Sequence, residues 1–205
     1  MLIRRLRVEG LALARGDRLL FKDLNLQLAA GQAVALRGRN GAGKTSLLRA
    51  IAGFIRPLAG EVAFDGEGGP VEADEARALG VHLTGHHDGL KPGRLAREEF
   101  MFQARWCGAD AAGMARAAEA LDLERLFGLE VRKLSAGQRR RLALGRLAAA
   151  RRPVWLLDEP FAPLDAEHRA RFGDLMNAHL AEGGMILAAV HDPLPIAADS
   201  VEIAG

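Results

Sequence analysis

Between Gly38 and Thr45 the chain reads Gly-Arg-Asn-Gly-Ala-Gly-Lys-Thr, in which four residues separate Gly38 from Gly43 and Lys44-Thr45 follow at once. This is the spacing of a phosphate-binding loop, and it fixes its own surroundings: a buried strand must lead in and a helix must lead out. Ala33-Val34-Ala35-Leu36 is short and wholly apolar, as a strand covered on both faces should be, and Leu47, Leu48 and Ile51 recur at helical spacing. The glycines permit backbone conformations closed to other residues, so successive amide N–H groups can turn inward around phosphate oxygens. Lys44 is then expected on the β- and γ-phosphates and Thr45 on Mg²⁺, with the positive end of the helix adding to the same spot. Gly38, Asn40, Gly41, Gly43, Lys44, Thr45 and Ser46 are the expected nucleotide contacts.

The rest of the chain can be placed around that loop. Leu2 to Val8 and Leu20 to Leu28 alternate apolar and polar residues, the pattern of antiparallel strands with one wet face, and Arg15-Gly16-Asp17-Arg18 turns between them. Glu61 to Phe64 and Leu79 to Leu83 read as strands, with a Gly-rich turn over Asp65 to Pro70. From Leu95 to Ala150 the residues are rich in Ala, Arg, Glu and Leu without a strand-like run, so this is read as an inserted helical block. Phe100, Met101, Phe102 and Trp106 cluster near its start, either as local core or as a patch for a partner. Within the block Ser135 is the natural N-cap of a helix running to about Arg152. Arg139, Arg140 and Arg141 crowd its first turns where acids are favoured, which fits either a solvated basic face or a helix end built for an anion.

Val154 to Leu157 is a second buried strand and ends in Asp158-Glu159-Pro160. Adjacent residues on a strand point to opposite sides, so the two acids should have separate tasks, and ligands of open α/β sheets gather beyond the carboxyl ends of the strands. Asp158 is expected to hold Mg²⁺ through water, and Glu159 to face an attacking water. A third buried strand, Met185 to Val190, ends in His191, and Ser200 to Ile203 reads as a short edge strand.

At 205 residues the chain suits one domain with an inserted subdomain over about 88–150. A net charge of +2 and the lack of a long basic run argue against a nucleic-acid partner. Cys107 is the single cysteine, so no intrachain disulfide is possible, and with no signal peptide in view a reducing cytoplasm is the expected home. The longest apolar stretch, Leu142 to Ala150, is broken by Gly145 and Arg146 and falls short of a bilayer span. Membrane work would therefore need an anchoring partner.

With the phosphate loop, Leu134-Ser135-Ala136-Gly137-Gln138, Leu156 to Pro160, Leu164-Asp165 and His191 in this order, the chain resembles the ATP-binding-cassette ATPases over nearly its full length. The resemblance implies a P-loop NTPase of that type, with a mixed core sheet, an antiparallel β part and the helical subdomain inserted. It also implies that Ser135, Gly137 and Gln138 form the signature that touches ATP, that Asp165 belongs to a dimer-contact loop, and that His191 reaches the γ-phosphate. In that family the signature of one subunit faces the phosphate loop of the other, so a homodimer closing on two ATP molecules is expected. Arg15-Gly16-Asp17-Arg18 with Leu20-Phe21, Thr45 to Arg49, Gly85-His86 with Gly89-Leu90-Lys91, and His191 with Pro193-Leu194 resemble the haem-export ATPase subunits of cytochrome c maturation. This implies a peripheral subunit on the cytoplasmic face of the inner membrane, an integral membrane partner, and haem or a haem chaperone downstream.

Two positions depart from the family pattern. Arg15 stands where an aromatic usually stacks on adenine, and the chain has no Tyr. His86 and His87 occupy the region where a Gln is usual, and His87 is the expected substitute, accepting from a Mg²⁺-bound water. A P-loop kinase, a soluble cassette assembly factor and a transporter ATPase for another cargo remain as alternative readings.

Overall fold

The computed structural model describes residues 3–203. The chain divides into two compact units, one of Met1–Gly85, Arg152–Glu159 and Ala178–Gly205, the other of His86–Arg151 and Pro160–Asn177.

The first unit holds two sheets. Strands β1 (Ile3–Arg15), β2 (Arg18–Ala29), β4 (Ala59–Gly66) and β5 (Gly69–Val71) form an antiparallel sheet in the order β2-β1-β4-β5. Strands β3 (Ala33–Arg37), β6 (Val81–Thr84), β7 (Val154–Asp158), β8 (Met185–Ala189) and β9 (Asp199–Glu202) form the other, in the order β6-β7-β8-β3-β9. Every pairing in that second sheet is parallel, so the antiparallel strands keep to a sheet of their own. The burial of β7 and β8 at every position explains their unbroken apolar runs, because a parallel strand covered on both faces has no wet side to alternate with. Helix α1 (Lys44–Ile51) packs on β7 and β8 of one sheet and β1 of the other, and its Leu47, Leu48 and Ile51 are fully buried.

Several sequence expectations shift by physical causes that are visible here. Leu2 lies outside the described residues, and the inward residue at the start of β1 is Ile3. A register irregularity between Ile3 and Arg5 puts two exposed arginines in succession before the alternation resumes at Leu6 and Val8. The Gly-rich stretch after Phe64 is a hairpin rather than a plain turn, with β5 returning along β4. Leu79 falls in a helix, α2 (Ala73–Gly80), whose N-cap Glu72 accepts from the Ala73 N–H. Only from Val81 onward does the chain extend.

The second unit is helical: α3 (Ala96–Trp106), α4 (Ala111–Ala120), α5 (Ala136–Ala149) and the start of α6 (Ala166–Ala181), with 3₁₀ turns at Glu124–Leu126 and Val131–Lys133. Helix α5 is its spine, since both α3 and α4 pack on it. At Gly145 a Cβ would come within 2.9 Å of both Leu123 and Phe100, so the glycine marks a close helix approach. Phe100 is core, stacked on Phe127 at 5.8 Å, whereas Phe102 and Trp106 are 48% and 80% exposed. Phe100 therefore takes the core role, while Phe102 and Trp106 lie outside the core.

At the end of α6, His179 lies flat on Trp155 of β7, with ring centroids 3.9 Å apart and planes at 9°. Burial pushes its imidazole down from 6.5 to about 4, with backbone contacts at Met185 and Pro153 and the nearby Glu182 opposing the shift. The folded protein therefore keeps His179 neutral where the unfolded chain would protonate it, so stability falls as pH drops from about 6.5 to 4. The shift corresponds to about 3 kcal/mol across that window. Denaturant titrations over about pH 4–7.5 should show this slope, and His179→Phe, which keeps a ring on Trp155, should flatten it; an unchanged slope would contradict the assignment.

Candidate functional site

Three parallel strands end side by side in the first unit. β3 pairs with β8 and β8 with β7, so the phosphate loop, His191 and Asp158-Glu159 lie at adjacent carboxyl edges, with Asp158 the last residue of β7. The loop backbone is the one its glycines demand, with φ of +135° at Gly38, +82° at Gly41 and +104° at Gly43. Gly38 has a second reason to lack a side chain, because a Cβ would sit 2.6 Å from the carbonyl oxygen of Ile203. Gly43 would press its Cβ on Phe21 and Leu20, so β2 backs the loop directly.

Lys44 is 8% exposed, and its ammonium donates to the Gly38 carbonyl at 2.6 Å and the Arg39 carbonyl at 3.4 Å. The loop thereby folds around its own cation, a shape suited to a polyphosphate. Thr45 Oγ1 lies 3.1 and 3.0 Å from the two carboxylate oxygens of Asp158, which is 5% exposed. A hydroxyl and a buried carboxylate are the hard oxygen donors that suit Mg²⁺, and phosphate and water could complete its octahedron. Among the described residues no group of three or more His, Cys, Asp or Glu could hold a metal alone. Thr45 and Asp158 fit Mg²⁺ as a companion of nucleotide.

Glu159 has φ +47°, an uncommon conformation for a residue with a side chain. Its N–H donates to the Ala189 carbonyl at 2.9 Å, which holds this bend against the end of β8. Burial pushes its carboxyl pKa up and Asp158 adds to the shift, while His191 and Lys44 oppose it. His191 Nε2 lies 3.4 Å from Glu159 Oε1. The two adjacent carboxylates have different neighbours: Asp158 meets Thr45 and Glu159 meets His191.

The remaining candidates belong to the second unit. Ser135 caps α5 with its hydroxyl oxygen on the Gln138 N–H at 3.2 Å, and Gln138 Oε1 accepts from the Ser135 N–H at 2.8 Å. The cap uses Ser135 Oγ as an acceptor, so its O–H remains a donor for an anion. Gly137 approaches the Pro163 carbonyl so closely that a Cβ would lie 2.8 Å from it. Ser135, Gly137, Gln138, Arg141, Asp165 and His168 are among the residues around a cavity of about 250 Å³. The basic crowd at the helix start is no solvated face. Arg140 is buried on Asp88 at 3.0 Å, Arg141 donates to the carbonyls of Leu121 and Asp122, and Arg139 to that of Leu134.

His168 lines the same cavity and is a residue that the sequence reading does not pick out. It donates its N–H to Asp165 at 2.9 Å and sets its ring Nδ1 2.7 Å from the same oxygen, holding the Asp165 carboxyl below its usual range. An Asp three residues before a polar helix position is the N-cap spacing that points to it. His86 and His87 are exposed, edge to face at 5.5 Å, and Arg15 is exposed in register with Arg18 at the β1–β2 turn.

The model of the ABC transporter family matches residues 21–162, which includes the loop, the Ser135 segment and the Asp158-Glu159 strand end. The chain belongs to the ABC transporter family. As a member it is a nucleotide-binding ATPase subunit coupled to transport. The Cytochrome c biogenesis ATP-binding export protein CcmA of Rhodopseudomonas palustris (strain BisB5) is 47% identical over 194 residues, 95% of each chain. The protein of the same name from Maricaulis maris (strain MCS10) is 48% identical over 189 residues, 92% of this chain and 86% of its own. Among solved structures, an ATP-binding cassette in a dimeric post-hydrolysis state with ADP and Pi superposes with a TM-score of 0.74 at 24% identity, covering 91% of this chain and 88% of that one, a likeness of fold.

The loop contacts separate two glycines that look alike in sequence. A methyl group added at Gly41 would meet nothing within 4 Å, so Gly41→Ala should cost only the left-handed strain, about 1–2 kcal/mol. Gly43→Ala meets Phe21 at 2.9 Å as well and should destabilise clearly more in urea unfolding. Equal losses would contradict the backing role of β2.

Proposed function

We propose that this ABC-family chain hydrolyses ATP at the cytoplasmic face of the inner membrane to drive a step of haem delivery during c-type cytochrome maturation. The observation that carries this reading is identity of 47–48% over nearly the whole chain to proteins named for cytochrome c biogenesis export. The step is either passage of haem itself or release of a haem-loaded chaperone, and in both the ATPase acts through a partner. No helix among the described residues is long and apolar enough to cross a membrane. In this reading the energy passes into an integral membrane subunit.

In this reading the chain works as a single ATPase domain, 1–205, with the inserted helical part at about 88–150. Gly38, Asn40, Gly41, Gly43, Lys44, Thr45 and Ser46 bind the polyphosphate. Thr45 and Asp158 would hold Mg²⁺, which would supply positive charge against the phosphates, and His87 would serve as a hydrogen-bond acceptor for a Mg²⁺-bound water. Glu159 orients and deprotonates the attacking water, and its raised pKa suits that task. His191, 3.4 Å from Glu159, contacts the γ-phosphate. Ser135, Gly137, Gln138 and Asp165 serve the ATP held by a second copy, so ATP closes a homodimer. The cassette solved as a dimer with ADP and Pi supports that arrangement by its fold.

The membrane subunit would dock on α3, where Met101, Phe102 and Trp106 border an open groove of about 610 Å³ flanked by Glu98 and Arg105. Phe102 and Trp106 stack at 6.4 Å and leave an apolar pair in solvent. Phe102→Asp with Trp106→Asp should release the protein from membranes and leave basal ATPase activity within about twofold of wild type. Retention in washed membranes would place the docking surface elsewhere.

Lys44→Ala should lose nucleotide binding, whereas Glu159→Gln should bind ATP and fail to turn it over, because Lys44 acts in ground and transition states and Glu159 on the attacking water. In cells, Glu159→Gln should abolish haem staining of c-type cytochromes while b-type haem proteins persist. Normal staining there would remove the cytochrome assignment and leave the ATPase standing.

A further inference from the structure

The second unit contains a polar network that the proposed chemistry does not use. Asp88, the residue after His87, accepts from Arg140 Nη1 at 3.0 Å, and Arg140 is only 2% exposed. The next residue, Gly89, has φ +68° and offers its carbonyl to Gln103 Nε2 of α3 at 3.1 Å. Gln103 in turn accepts from Arg146 of α5 at 3.0 Å and donates to Glu99 at 2.8 Å. Glu99, 1% exposed, also receives Arg94 at 3.2 Å. The segment from Asp88 to Arg94 is therefore fastened to two helices, and its attachment to α5 nearest His87 is the Asp88–Arg140 pair.

Arg140 lies two residues beyond Gln138, on the helix whose start is capped by Ser135. One buried ion pair thus connects the His87 segment to the first turns of the helix that presents Ser135 and Gly137. A guanidinium removed from water is costly unless its partner stays in place, so movement of the two segments relative to each other would break an expensive contact. They are expected to move together or not at all.

We propose that Asp88 and Arg140 are positioning residues that lock the His87 segment to the Ser135 end of α5, so that nucleotide sensed at the one sets the placement of the other. This rests on the homodimer reading, in which Ser135 and Gly137 grip the ATP of the second copy. In this proposal the pair acts through the segments it joins rather than on nucleotide. Its effect should appear in how well ATP closes the dimer, with ATP affinity of the single chain left alone.

The test uses the full chain carrying Glu159→Gln, with sedimentation velocity at saturating Mg·ATP to measure the dimer dissociation constant. Equilibrium titration of dilute protein with a fluorescent ATP analogue gives single-chain affinity. Arg140→Met added to this background should weaken the dimer about tenfold or more, with analogue affinity within about twofold. Asp88→Glu, which keeps the carboxylate, should stay within about threefold for the dimer. Asp88→Asn should resemble Arg140→Met, and it replaces that variant in the comparison if Arg140→Met does not fold. An unchanged dimer constant in folded Arg140→Met or Asp88→Asn overturns the proposal, as does an equal loss of single-chain affinity. A parent Glu159→Gln protein that stays monomeric with ATP overturns the homodimer reading instead, so the two failures are distinct.

Discussion

The site depends on the parallel registration of β3, β8 and β7. Ala35 pairs with Ala188 and Leu157 with Ala188 across its other edge, so three chain segments distant in sequence finish at one level of the sheet. Parallel pairing needs crossover connections and both faces covered, and α1 with the antiparallel sheet supplies apolar cover from the same core cluster. Once the strands are aligned, a Gly-rich loop, two acids and a histidine lie at the edge or within two residues of it. Strand pairing does the positioning that loops alone could not hold.

The charged groups at this edge divide their work. Asp158 sits low, 5% exposed, and meets Thr45; Glu159 bends out in a left-handed conformation and meets His191. The strain at Glu159 is held by its N–H on Ala189, so the same β7–β8 pairing that aligns the strands also aims the carboxylate. In the helical unit, polar groups go to internal attachment: the three arginines at the start of α5 reach backbone carbonyls and Asp88. What α5 presents outward at its start is the Ser135 cap and Gly137.

Much of this is legible in the sequence where one residue pattern has one structural meaning. The phosphate loop, the apolar runs of β3, β7 and β8 and the Ser135 cap each carry such a signal. Helix α2 carries none, because Ala73–Gly80 has only two buried positions, too few to make a stripe. The hairpin at Gly69 is equally silent, since its strand is three residues long and gains its pairing from β4 rather than from its own pattern. The arginine crowd stays ambiguous in sequence because burial of Arg140 depends on Asp88, fifty-two positions earlier, and no local pattern announces such a pair. Likewise the glycine at position 137 reads as a nucleotide contact, yet the Pro163 carbonyl beside it already forbids a side chain.

In the proposed reading the strand ends form a nucleotide site in which Thr45 and Asp158, 3.0–3.1 Å apart, would act together on Mg²⁺. The direct measurement is the Mg²⁺ dependence of ATP affinity, by calorimetric titration of wild type, Thr45→Ala and Asp158→Asn with and without Mg²⁺. Mg²⁺ should tighten ATP binding to the wild type, and either substitution should remove most of this gain, while binding of metal-free ATP through Lys44 and the loop persists. Full retention of the Mg²⁺ effect in Asp158→Asn would contradict it.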